Sequence, residues 1–277
     1  AANPVAEHVA GDVFRVYFGA RDVGNRTSIA WAEVEIGEQP RVLGLCPEPV
    51  IGPGETGLFD DSGASMGCLV QADGRRLLYY VGWNLGVTVP WRNGIGLAVD
   101  EGPGGAFRKW SAAPVMDRAG CDPYSLSYPW VIRDGGRFRM WYGSNLTWGC
   151  GQKDMGHVIK HAESDDGLHW RRTGDTVLGL LPPDEYALCR PCVMRDGPLY
   201  RMWYCHRGGA YRIGYAESAD GLTWERRPDL VGIGVSATGW DSEMIAYPHV
   251  FDHGGRRWML YNGNGYGRTG MGLAVLE

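Results

Sequence analysis

The sequence predicts an all-β chain folded as a five-bladed β-propeller, with about four antiparallel strands per blade. Three observations predict it. An aromatic strand recurs five times at a near-constant period. Short Pro-started and Asp-Gly-closed segments flank each copy. No stretch sustains the 3.6-residue apolar period of a long helix. The recurring strands are Phe14-Arg15-Val16-Tyr17-Phe18, Leu77-Leu78-Tyr79-Tyr80, Phe138-Arg139-Met140-Trp141-Tyr142, Tyr200-Arg201-Met202-Trp203-Tyr204 and Trp258-Met259-Leu260-Tyr261. They end at 18, 80, 142, 204 and 261, with spacings of 62, 62, 62 and 57. Such a period means one supersecondary unit copied along the chain. Four short strands per copy make a propeller blade.

Within a unit the strands can be read in order. Strand A carries a Pro near its start, as in Tyr128-Pro129-Trp130-Val131-Ile132, Arg190-Pro191-Cys192-Val193-Met194 and Tyr247-Pro248-His249-Val250-Phe251. A Gly turn such as Asp134-Gly135-Gly136 follows, because tight turns need backbone conformations that glycine adopts cheaply. Strand B is the aromatic run. A variable loop leads to strand C, for example Ile213-Gly214-Tyr215-Ala216-Glu217. Ser164-Asp165-Asp166-Gly167-Leu168-His169-Trp170 and Ser218-Ala219-Asp220-Gly221-Leu222-Thr223-Trp224 then turn into an outer strand D; they resemble the Asp-box turns of sialidase propellers. The blades are expected at roughly 1–45, 46–112, 113–178, 179–235 and 236–277, all in one domain. The chain starts near a strand A (Asn3-Pro4-Val5) and ends on a strand C (Met271-Gly272-Leu273-Ala274-Val275). The last blade is therefore expected to have three strands, or to be completed by residues upstream of Ala1.

Composition narrows the function classes. Lys+Arg is 27 against Asp+Glu 32, a net charge of −5, which disfavours a nucleic-acid partner. No apolar run reaches the ~18 residues of a membrane span, and no basic-then-apolar signal peptide opens the chain. Seven cysteines (46, 68, 121, 150, 189, 192 and 205) make an odd count, which argues for a reducing compartment and a cytoplasmic location. Cys189-Arg190-Pro191-Cys192 has redox spacing, but it opens an extended run with no second pair, so it reads as buried strand thiols. No metal-ligand spacing or phosphate-cradling Gly loop appears, and no cofactor is expected.

Antiparallel alternation places the starts of the A strands and the ends of the B strands on one face, around the central channel. That rim gathers Arg21 and Asp22 from the first unit, and Asp60, Asp61, Trp83, Asn84 and Arg92 from the second. The third supplies Tyr128; the fourth Glu185, Arg190, His206 and Arg207; the fifth Asp241, Glu243, Tyr247, His249 and Asn264. An Asp seven residues before the strand-A Pro recurs as Asp122, Asp184 and Asp241, with Asp60 similarly placed before Gly67. Recurrence marks these as scaffold, caps accepting backbone N–H bonds. Asp61, Glu185, Arg190, Glu243 and His249 break the pattern and are the candidate site. Paired carboxylates flanking a cleft suit glycoside cleavage, one protonating the leaving oxygen and the other acting as base or nucleophile. Trp83, Tyr128 and Tyr247 offer faces for sugar C–H surfaces.

The units Tyr128-Pro129-Trp130 to Tyr142-Gly143-Ser144, Ala216-Glu217-Ser218 to Trp224 and Tyr247-Pro248-His249 to Tyr261-Asn262-Gly263 resemble blades of the propeller glycosidases of glycoside hydrolase families 43, 32 and 130. The opening Arg15-Val16-Tyr17 to Glu33-Val34-Glu35 is similar to glycosidase-like chains of that superfamily. The resemblance implies a five-bladed fold and chemistry on a sugar. In furanosidase members a catalytic Asp directly precedes a strand-A Pro, and a Glu-Cys pair opens the fourth blade. Here Asn3, Tyr128, Arg190 and Tyr247 precede Pro, and Cys189 follows Leu188. Those catalytic roles do not carry over. The expectation is a carbohydrate-active enzyme using Glu185, Glu243 or Asp61 as acid and base, with Arg190 and His249 orienting a small sugar or glycoside. The alternatives are a non-catalytic glycan- or protein-binding propeller, or a repurposed lyase, isomerase or cyclase.

Overall fold

The computed structural model describes residues 1–100, 102, 106–148 and 155–276; Cys150 lies outside them. The first blade is β1 (Ala2–Ala10), β2 (Val13–Arg21), β3 (Thr27–Glu35) and β4 (Arg41–Leu45). The second is β5 (Gly63–Ala72), β6 (Arg75–Leu85), β7 (Trp91–Asp100) and β8 (Arg108–Lys109). The third is β9 (Leu126–Asp134), β10 (Arg137–Asn145), β11 (His157–Ser164) and β12 (Thr176–Leu178). The fourth is β13 (Ala187–Asp196), β14 (Leu199–Arg207), β15 (Tyr211–Ser218) and β16 (Glu225–Arg226). The fifth has three strands among the described residues, β17 (Ala246–His253), β18 (Arg256–Asn262) and β19 (Met271–Val275). The inner strands β1, β5, β9, β13 and β17 pack each against the next, and β17 packs back on β1, so the ring closes.

Each inner strand carries a register shift at its Pro or, in β5, at Gly67. Beside the prolines the shift sets a non-glycine residue in the left-handed region: Asn3 (φ 60), Tyr128 (φ 43), Arg190 (φ 54) and Tyr247 (φ 59). That conformation costs on the order of 1–3 kcal/mol per residue, and a bulge re-aims its side chain. The side chains turn toward the axis. Tyr128 and Tyr247 come from non-adjacent blades, yet their rings stand 5.7 Å apart.

The residues after Gly67, Pro129 and Pro191 each link their blade to the next. Val131 N–H donates to Cys68 Sγ (3.2 Å), Trp130 Nε1–H to Val193 O (2.8 Å) and Val250 N–H to Cys192 Sγ (3.2 Å). A second ring runs along the opposite face. Arg133 pairs with Asp73 (2.6 Å), Arg195 with Asp134, Arg257 with Asp196 (2.8 Å), and His253 with Asp12 across the closing seam (2.7 Å). The Asp-box-like turns also dock. Tyr79 Oη donates to Gly167 O (2.7 Å) and Trp141 Nε1 to Gly221 O (2.8 Å), tying each turn to the preceding blade.

Arg190 fills the axis. It is 0% exposed. Its guanidinium donates to Gly67 O and Met66 O (3.3 Å) in blade two and to Pro4 O (3.2 Å) in blade one. Burial pulls its pKa below the usual guanidinium value, and the surrounding thiols and Tyr128 act the other way. One side chain of blade four thus holds two other blades by peptide oxygens. Arg190→Ala is expected to strand those carbonyls and lower stability by about 3–5 kcal/mol. Arg190→Lys, a point charge without the planar fork, should recover less than half of that loss. Urea midpoints read both, and a change below about 1 kcal/mol for Ala would refute the axial role.

Candidate functional site at the channel mouth

The cross-strand pairs Gly63↔Trp83, Leu126↔Ser144, Ala187↔Arg207 and Ala246↔Asn262 put the starts of inner strands beside the ends of second strands. This face carries the mouth.

The recurring carboxylates turn inward and are consumed. Asp60 accepts from Tyr80 Oη (3.0 Å) and Lys109 Nζ (2.6 Å). Asp122 accepts from Tyr142 Oη (2.9 Å), Ser144 Oγ (2.6 Å) and Lys160 Nζ (2.9 Å), and pairs with Arg172 (3.1 Å). Burial alone would raise the Asp122 pKa, but the bonds from Ser144, Lys160 and Tyr142 hold it below the ordinary value. Asp241 accepts from Tyr261 Oη (2.9 Å). In each case the tyrosine lies 20 residues after the Asp, on a second strand. These groups tie the entry loop of a blade to its own sheet.

Blade four departs from the expected pattern. Asp184, read as the recurring carboxylate, is exposed. Glu185, read as a pattern-breaker, takes the interior place. It receives Arg226 Nη1 and Nη2 (3.0 and 2.8 Å), the Leu181 N–H (3.1 Å) and His206 Nδ1 (3.3 Å). The longer side chain reaches inward from one residue later.

Two further expectations need correction. Arg190 is spent on carbonyls inside the ring. His249 is buried between Trp130 (5.4 Å) and Phe251 (5.6 Å). Burial, with the nearby Arg190 charge, lowers its pKa to about 3 and keeps it neutral. Neither faces the mouth, because the bulge at Pro sends the residue before it to the axis and the residue after it into the seam.

The other expected residues remain near the surface. Asp61 is half-buried, accepting from Gly57 N–H and Ser62 Oγ at 3.0 Å each. Glu243 is exposed. Its backbone N–H and that of Met244 donate to Asn264 Oδ1 (2.8 and 2.9 Å), while Asn264 Nδ2 donates to Gly239 O (3.1 Å), so Asn264 shapes the loop that presents Glu243. Neither carboxylate has a cationic partner among the described residues. Arg21 lies over the Trp83 ring (5.5 Å) and donates to Asn25 Oδ1 (2.7 Å). Asp22 pairs with Arg26 (3.0 Å). Asn84 is half-buried and Arg92 exposed.

A tyrosine cluster was not anticipated. The Arg207 guanidinium sits over Tyr211 (5.1 Å), Tyr186 (5.6 Å) and Tyr266 (5.7 Å). Tyr211 also approaches Tyr247 (6.2 Å). The signal was available in the second-strand ends and the loops after them, where Arg207 precedes Tyr211 and Asn262 precedes Tyr266. With Tyr128 and Trp83, these rings give the mouth its aromatic surfaces. Among the described residues no cluster of His, Cys, Asp and Glu has the makings of a metal site.

Burial raises the Glu185 pKa, but hydrogen bonds from His206 and Arg226 and the Arg226 charge outweigh it, leaving it at about 2. A depressed folded-state pKa stabilises above the unfolded value and is lost as pH falls through the folded one. Glu185 should therefore contribute on the order of 3 kcal/mol at neutral pH, lost between about pH 4.5 and pH 2. Glu185→Gln should flatten that part of the stability-against-pH curve relative to wild type. Parallel curves for the two proteins would refute it.

No family model matches the chain. Among curated proteins, "Uncharacterized protein MT1551" of Mycobacterium tuberculosis (strain CDC 1551 / Oshkosh) is 54% identical over 277 residues, all of this chain and 92% of that one. "Uncharacterized protein Rv1502" of Mycobacterium tuberculosis (strain ATCC 25618 / H37Rv) is 53% identical with the same coverage. Among solved structures, one described as "Glycoside hydrolase" superposes with TM-score 0.78 at 18% identity, over 100% of this chain and 87% of its own. A thermostable family-43 glycoside hydrolase gives 0.70 at 17%, over 99% and 88%. A Bombyx mori GH32 beta-fructofuranosidase gives 0.68 at 14%, over 99% of this chain and 59% of its own. The chain therefore belongs to the family of the mycobacterial proteins MT1551 and Rv1502, on the five-bladed propeller fold of the family-43 and GH32 glycoside hydrolases.

Proposed function

We propose that the protein is a carbohydrate-active enzyme with glycosidase-like acid-base chemistry, taking a sugar or glycoside at the channel mouth, with Asp61 and Glu243 as its working carboxylates. The carrying observation is the division of the mouth carboxylates. Asp60, Asp122 and Glu185 are paired with Lys or Arg and the buried Asp241 is bound to Tyr261, whereas Asp61 and Glu243 lie nearer the surface with no cationic partner among the described residues. A carboxylate fixed to a guanidinium stays ionised and cannot cycle a proton near neutral pH. Trp83 and Tyr128 would stack on sugar faces, with Arg21 and Arg92 as hydroxyl donors. A sucrose complex of a variant of the Bombyx mori enzyme is in keeping with a sugar partner on this fold. A reducing cytoplasm completes the proposal, with the six described cysteines all free.

A second reading, a non-catalytic sugar-binding propeller, draws on the residues before the prolines. Asn3, Tyr128, Arg190 and Tyr247 supply no carboxylate at the axis. Turnover and calorimetric binding over a panel of glycosides, with wild type, Asp61→Asn and Glu243→Gln, separate the two. The enzyme reading expects each variant to lose about 100-fold or more in kcat with affinity within a few-fold. Binding without turnover in wild type selects the second reading. Full activity in both variants would overturn the assignment of these carboxylates.

A further inference from the structure

We infer that Cys189 and Cys205 are an oxidisable dithiol at the channel mouth: Cys189, in contact with His157, attacks a hydroperoxide, and Cys205 closes a cross-strand disulfide. The inference stands apart from the sugar chemistry proposed above.

The pairing follows from register. Cys189 on β13 lies directly opposite Cys205 on β14. Opposed residues of an antiparallel pair share a side of the sheet, with Cα atoms about 4.5–5.5 Å apart. A disulfide requires about 4.4–6.8 Å. The redox-like spacing of Cys189 and Cys192 is misleading, since Cys192 lies beyond the bulge and accepts Val250 N–H from blade five.

The surroundings of Cys189 favour reaction. Cys189 packs with Cys205, Tyr211 and Tyr247 in one buried cluster, and β11 meets β13 two residues before it, where His157 lies opposite Ala187. His157 Nδ1 lies 2.8 Å from Met155 O, which places the proton there and leaves Nε2 for exchange with the thiol. Cys205 Sγ is fixed by the Tyr247 N–H (3.0 Å). Tyr128, Tyr247 and the buried Arg190 complete the surroundings. Burial raises the Cys189 pKa, but the bonds from Cys205, His157 and Tyr211 and the His157 charge draw it below that of an ordinary thiol. Cys68 and Cys192 are the contrast: burial pushes each up to about 12, and each stands against the backbone of another blade. Cys189 and Cys205 are 1% and 0% exposed, while His157 and Tyr128 are half-buried, so only a small oxidant is suited to reach the pair.

The chemistry balances. The Cys189 thiolate attacks one peroxide oxygen, the O–O bond breaks, and the leaving alkoxide or hydroxide takes a proton from the His157 imidazolium. Cys189 is then a sulfenic acid. Cys205 sulfur attacks it, the S–S bond forms, the S–O bond breaks, and the departing hydroxide leaves as water with the Cys205 proton. Two electrons pass from the dithiol to the peroxide.

The test treats the reduced full chain with stoichiometric hydrogen peroxide. Maleimide labelling after denaturation counts the remaining thiols, and peptide mapping locates any cross-link. Two thiols should be lost, with a 189–205 link. Cys205→Ser should stop at a sulfenic acid on Cys189 that dimedone traps. His157→Gln should slow oxidation at least tenfold at neutral pH. In wild type, requiring no variant, the rate should stay nearly flat between pH 6 and 8, where an ordinary thiol gains roughly tenfold per pH unit. Oxidation confined to Cys46 or Cys121, or a rate that rises as for an ordinary thiol, would overturn the inference.

Discussion

The buried guanidinium of Arg190 is the constraint around which the ring is organised. It comes from blade four and ends on peptide oxygens of blades one and two. Carbonyls rather than a carboxylate receive it, so its charge is spread over three dipoles fixed by the inner strands. The arrangement requires a left-handed residue before Pro191, a strain that holds only where the surroundings over-determine it. With Arg190, Tyr128 and Tyr247 occupying the axis, a ligand at the mouth rests on a filled channel and meets side chains from the loops.

The same economy governs the carboxylates. An Asp entering a blade and a Tyr on its second strand meet in blades two, three and five. Blade four does this with Glu185, Arg226 and His206. At Asp122 and Glu185 the lock includes a cation that holds the carboxylate ionised, which suits a joint and disqualifies a proton donor. Scaffold and candidate site thus separate by what each acidic group touches, although they share one rim.

Much of this was legible in the sequence. The recurrence of the aromatic strand depends on side-chain types that suit a pleated inner surface, so period and strand order could be read directly. The inner bulge could not be. It shifts the register by one residue, and a one-residue shift exchanges what faces the axis with what faces the neighbouring blade. Arg190 and His249 therefore lie inside rather than at the rim, and Cys189 meets Cys205 rather than Cys192. Hairpin arithmetic that counts the bulge pairs the two cysteines. Asp184 and Glu185 differ for another reason: spacing identifies a loop position, but side-chain length decides which neighbour reaches the Tyr-bearing sheet.

Outside the axis, where Arg190 and the Tyr128–Tyr247 pair reach across the ring, the inter-blade contacts described above join neighbours, as in a linear repeat array, where the end units are the first to fray. Here the series bends round until Asn3 N–H meets Asn262 Oδ1 and Asp12 meets His253. A closed loop of nearest-neighbour contacts has no end unit. For one blade to detach, two seams must open together, so partial melting from an edge carries double the cost it has in an open solenoid. The ring is expected to lose its blades in concert rather than one at a time.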